Sequence, residues 1–162
     1  MGKMHEQESH EMQKAHKGNL SQTDIEAADF SKSMQNPGSH NGHELELMLR
    51  GLKPMALFIA EDVVPPEAVG DAEFSPYVEQ GRIIKLVYRN DELKFERRCY
   101  CLPTEEWRGK LSNFLFRLSC EGDLTSALTP EDRTRIEGFL LGYPKESTDW
   151  HIQDLKEHFV RD

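Results

Sequence analysis

Apolar residues are sparse and scattered up to residue 41, and from Gly42 onward they recur at helix or strand spacing. Leu45, Met48, Leu49 and Leu52 stand at i, i+3, i+4 and i+7, with Glu44, Glu46, Arg50 and Lys53 between them, which predicts an amphipathic helix ended by Pro54. The unbroken run Met55–Ala60 has strand length and no polar alternation, so it reads as a central strand covered on both faces. An irregular connection follows, Val63–Gly70 and Phe74–Val78, with helical turns expected after its prolines.

Residues Arg82 to Leu102 then alternate as a β-hairpin. A two-residue turn at Asn90-Asp91 sets Arg89 against Glu92, Tyr88 against Leu93, Leu86 against Phe95 and Lys85 against Glu96. That register gathers Ile84, Leu86, Tyr88, Leu93 and Phe95 on one apolar face and pairs opposite charges on the other. Cys99 and Cys101 share the apolar face by alternation.

Three helices are predicted after the hairpin. Thr104 caps the first, with Glu105 and Glu106 in its opening turn, and Trp107, Leu111, Phe114, Leu115 and Leu118 form its buried stripe up to Gly122-Asp123. Thr129-Pro130 with Glu131 and Asp132 opens the second, which buries Ile136, Phe139 and Leu140 and stops at Gly142-Tyr143-Pro144. The last runs from about Lys145 to Val160 on Ile152, Leu155 and Phe159. Strands in the middle and helices at the end indicate an α+β fold, a small antiparallel sheet of three strands packed against helices. The domain spans residues 42–162, preceded by a polar arm over 1–41 in which Ser21 to Met34 carries one short helical pattern around Ile25 and Phe30. In an alternative arrangement the Met55 strand pairs with an edge in a second copy, giving a homodimer.

Composition narrows the function classes. No stretch nears the ~20 apolar residues of a membrane span, and the first residues form no apolar leader, so a cytoplasmic, membrane-free protein is expected. Three cysteines fit a reducing compartment better than a disulfide scaffold. The net charge of −9 disfavours binding to a phosphate backbone. It is unevenly placed: between residues 43 and 81 eight carboxylates accompany two cations, whereas 82–102 holds six cations and three carboxylates.

Candidate chemistry is thin. Cys99 and Cys101 with Cys120 lack the second matching pair of a zinc site, and core packing accounts for the first two. His5, His10, His16, His40 and His43 lie in or beside the arm without fixed geometry, and His151 and His158 stand too far apart along one helix to share an ion. No metal and no cofactor is expected. Glu61-Asp62 closes the buried strand, yet neighbouring residues in an extended segment point opposite ways, which does not suit an acid–base pair. The last helix carries Asp149, Asp154 and Glu157 against Lys156 and Arg161, a surface that repels duplex DNA. The expected function is therefore binding: a small acidic interaction protein of inhibitor, immunity-type, anti-defence or chaperone-like kind, with a basic protein surface as partner, a nucleic-acid enzyme for instance. Its binding surface is expected at Glu61, Asp62, Glu67, Asp71, Glu73 and Glu79, with Phe74 and Tyr77 as exposed anchors and no catalytic residue. Two alternatives stand beside it: a small enzyme assembled from Glu61, Asp62, Cys120 or His151, and an RNA-binding module using Tyr88, Arg89, Arg97, Arg98 and Tyr100 of the hairpin.

Overall fold

A computed structural model describes residues 40–64, 66–122, 124 and 126–159, without the side chains of Pro66, Glu67 and Phe159. The arm up to residue 39, with its expected helix and His5, His10 and His16, lies outside the described residues.

The first helix, α1, covers Glu44–Leu49 and buries Leu47 and Met48. It is shorter than its apolar spacing suggests. Gly51 adopts φ +71, and the Gly51 and Leu52 amides turn back to the carbonyls of Met48 and Leu47, so the chain leaves the helix before Pro54 and Leu52 ends up exposed. Strand β1, Met55–Glu61, follows. Two single turns of 3-10 helix, Pro66–Val69 and Ala72–Phe74, lead into the short helix α2, Ser75–Glu79. Strands β2, Ile84–Asn90, and β3, Phe95–Cys101, complete an antiparallel sheet. Its order is β1-β3-β2, so the fold is α+β as the sequence predicts. The central strand, however, is β3; among the described residues β1 pairs on one side only, and it is covered on both faces at Met55 and Ala56 but not at Ile59, which is 48% exposed.

The hairpin register also differs from expectation. Arg89 opposes Glu96, Tyr88 opposes Arg97 and Leu86 opposes Cys99, because the turn is a four-residue loop, Asp91 to Lys94. Asn90 Oδ1 accepts the Leu93 amide at 2.8 Å, and Lys94 takes up φ 53, which lengthens the connection. Leu93 consequently stands in solvent instead of the core. The displacement is an even number of residues, so every other side chain keeps its expected face.

Each sheet face has its own core. On one, Met55, Cys99 and Cys101 are fully buried with Leu140, flanked by Leu57, Leu86 and Ile136. On the other, Ala56 and Tyr100 pack with Met48, Phe74 and Ile83, and the rings of Phe74 and Tyr100 lie 4.3 Å apart.

Two helices close the first of these faces, and a third packs on the second of them. Helix α3, Glu106–Glu121, begins after a 3-10 turn at Pro103–Glu105, so Glu105 occupies the N-cap position and Thr104 does not cap. Its inner face is Gly109 and Ser112, with Phe116 edge-on to Tyr88 and Phe95. Trp107, Leu111 and Phe114, expected in the core, point outward. The reason is steric. A Cβ on Gly109 would come within 2.6 Å of Cys101 Sγ and 2.8 Å of Leu86 Cδ1, so only the small-residue side of the helix can meet the strand. Helix α4, Pro130–Leu141, starts with a complete capping box between Thr129 and Asp132, buries Leu140 and leaves Phe139 exposed. Helix α5, Lys145–Phe159, buries Ile152.

Gly109→Ala tests this close approach. Helix propensity alone favours alanine by about 1 kcal/mol, while overpacking against Cys101 and Leu86 costs about 1–3 kcal/mol. Urea unfolding should show net destabilisation; a more stable variant would mean that α3 retreats from the sheet freely.

Candidate functional site

The basic strand β3 turns its charge inward. Arg97 and Arg98 are neighbours in an extended strand and therefore enter opposite layers, both buried. Arg98 Nη2 donates to Asp71 Oδ1 at 2.8 Å, and its Nε sits 2.6 Å from Oδ2 without the alignment of a hydrogen bond. The Tyr100 hydroxyl donates to the same carboxylate at 2.7 Å. Burial, the hydrogen bond to Asp71 and that carboxylate's charge together raise the Tyr100 phenol above its ordinary range. In the other layer Arg97 Nη2 donates to Ser112 Oγ at 2.7 Å and to Glu137 Oε1 at 3.0 Å. With Tyr100 buried, Tyr88 half-buried and both arginines engaged inside the fold, the hairpin lacks the open aromatic platform that base stacking requires.

The acidic segment divides in the same way. Asp71 is the internal counter-ion of Arg98, and Phe74 is 1% exposed in the aromatic core, so neither is the solvated contact expected of it. Phe74 is drawn in because the 3-10 turn Ala72–Phe74 lays its ring against Phe58 and Tyr100. Tyr77 is half-buried beneath the Arg82 guanidinium, 5.3 Å from its ring centre. Glu61, Asp62, Glu73 and Glu79 are exposed, and Asp62 lies 3.7 Å from Arg89. The Glu67 side chain is outside the description.

The proposed enzyme residues do not converge on one cavity. His151 lines a cleft with Tyr143 and Thr148, which neither Glu61, Asp62 nor Cys120 reaches, and Cys120 is exposed. Cys99 and Cys101 lie in the core, and burial raises both thiols, Cys101 to about 12. Among the described residues no three His, Cys, Asp or Glu side chains are grouped to hold a metal ion, and no helix is long and apolar enough to cross a membrane.

Two features had no clear sequence signal. His40, expected in the arm without fixed geometry, is buried, stacked 4.4 Å from the Tyr143 ring, with its Nδ1 3.1 Å from Lys53 Nζ. Lys53 also donates to the Leu141 carbonyl at 3.1 Å, and burial lowers its pKa from 10.5 to about 8. The second feature is an aromatic surface. Trp107, Leu111 and Phe114 run along the outer side of α3, and Phe139 of α4 meets Trp107 at 6.5 Å between ring centres. The Arg108 guanidinium lies 4.8 Å from the Trp107 ring and 4.9 Å from that of Phe139, and it donates to the Phe139 carbonyl at 2.6 Å. Its Nε donates to Glu105 at 2.6 Å, so the two helices and their exposed rings are locked in one arrangement.

Comparison of the chain with protein families, with curated proteins and with solved structures returns no match.

Two stability measurements check the buried charges. Asp71→Ala should cost about 3–5 kcal/mol in urea unfolding by stranding Arg98, whereas Glu73→Ala two residues away should stay within about 0.5 kcal/mol. For Lys53, between pH 8 and 10.5 the unfolded chain holds a proton that the folded chain has released, so this residue contributes stability that rises with pH across that window. Wild type should therefore gain about 1–3 kcal/mol relative to Lys53→Met between pH 7.5 and 10.5. The opposite drift from Tyr100 and Cys101 cancels in that comparison, and an unchanged difference would mean that Lys53 is charged in the fold throughout.

Proposed function

We propose that this is a cytoplasmic interaction protein, of the inhibitor or immunity type, that docks a basic partner protein on the outer face of α3 and α4. The observation that carries this reading is the exposure of Trp107 (46%), Phe114 (47%) and Phe139 (60%) beside Leu111 on one rigid surface. These large aromatic side chains, half exposed at adjoining positions of two helices, lie outside both core clusters of the fold. Such residues are the kind that dominate binding energy in protein interfaces. Arg108 holds two of the rings in place before any partner arrives, which reduces the ordering cost of association.

Charge selects the partner. The chain carries −9 overall, and Glu61, Asp62, Glu73 and Glu79 stand in solvent. A field of that sign speeds capture of a positively charged protein and repels nucleic acid. The exposed carboxylates thus steer, and the aromatic face holds.

The test is a photo-crosslinking residue at position 111 of the full-length chain in its native cells. The expected product is a heterologous adduct with one basic protein. With that partner purified, Trp107→Ala or Phe114→Ala should raise the off-rate tenfold or more. Added salt should slow association and leave dissociation nearly unchanged. Adducts only with a second copy, with residues 1–39 of the same chain, or with RNA would overturn the assignment.

A further inference from the structure

A second concave feature lies on the inner side of the same two helices. A cavity of about 440 Å³ opens between α3, α4 and the sheet, walled by Ile59, Leu115, Phe116, Ile136 and Leu140. That volume falls in the range of small-molecule sites. Its lining also includes two guanidinium groups, Arg97 and Arg133, and one carboxylate, Glu137.

The polar groups are unevenly satisfied. Arg97 is only 4% exposed, its plane lies 4.6 Å from the Phe116 ring, and its Nη2 serves Ser112 and Glu137. Its Nε–H is buried with no acceptor. The Nε–H of Arg133 is likewise buried without an acceptor, and among the described residues Arg133 forms no ion pair. Buried donors normally find acceptors. The lining therefore holds two orphaned donors and, with Arg97 paired to Glu137, one positive charge in excess on the half-buried Arg133. Pro130, the first residue of α4, also lines it, so the positive end of that helix lies beside the opening.

We propose that this cavity binds a small amphipathic monocarboxylate. Its two oxygens would accept from Arg97 and Arg133, and its hydrocarbon body would fill the space between Leu115, Phe116, Ile136 and Leu140. A single negative charge balances the site; a phosphate dianion would reverse its sign. The inference is independent of the partner-binding face, because Trp107, Leu111, Phe114 and Phe139 do not line the cavity.

Octanoate and its neutral isostere octanamide, titrated into the full-length protein by calorimetry and by amide NMR, test it. Octanoate should saturate the site with shifts centred on Phe116 and Ile136, and bind at least tenfold more tightly than octanamide. Arg133→Gln removes one orphaned donor and no ion pair, so the fold should survive; it should abolish the preference for octanoate while leaving octanamide binding unchanged. Glu137→Gln removes the competing carboxylate and keeps an acceptor for Arg97, and should tighten octanoate severalfold. Absence of saturable octanoate binding, equal affinity for the two ligands, or an undiminished preference in Arg133→Gln would overturn the proposal.

Discussion

The contact between Arg98 and Asp71 joins the sheet to the segment that covers one of its faces. Arg98 belongs to the central strand, and Asp71 to the irregular segment that links β1 to β2. A charge buried in an apolar layer is tolerable only with its counter-charge in place, so the linking segment is pinned against the sheet at one point. Helix α1 covers part of that face with Met48, and the rest of the cover follows from the pin. The turn after Asp71 brings Phe74 against Phe58 and Tyr100, and Tyr100 adds a second donor to the same carboxylate. A segment rich in proline and small residues thereby becomes a structured lid over half of the core.

The opposite layer follows another logic. There Gly109 brings α3 close to Cys99 and Cys101, and Ser112 meets Arg97. A helix that presents glycine and serine to its sheet must turn its large side chains elsewhere. The aromatic surface and the tight inner contact are thus two results of one helix rotation. The first leaves aromatic rings in solvent, and the second leaves room for the cavity further along the helix.

Much of the architecture was legible in the chain. The α+β class, the hairpin, the apolar face of its strands and the helix start at Thr129 followed from spacing and turn chemistry, which are local properties; the second core around Tyr100, on the face expected to be solvated, did not. The rotation of α3 was not legible, because Trp107, Leu111 and Phe114 satisfy an inward stripe as well as an outward one. What decides between them is the space beneath Gly109, set by residues elsewhere in the sequence. The acidic segment was misread at Asp71 and Phe74 for a similar reason. Composition marks a carboxylate as solvated until a distant arginine claims it. The adjacent arginines of β3 held the available clue, since consecutive residues in a covered strand cannot both face water.

The strand order carries a consequence for how the chain reaches this state. Pairing of β2 with β3 closes a short loop, whereas β1 reaches β3 only after the whole intervening segment has folded back. A hairpin formed ahead of that closure would present Arg97 and Arg98 to water on its unpaired strand. A bare strand edge is a template for wrong pairing between chains, and positive charge along it discourages such stacking. Arg97 and Arg98, which engage Glu137 and Asp71 once the sheet is complete, place charge of that discouraging kind on the strand that β1 must join.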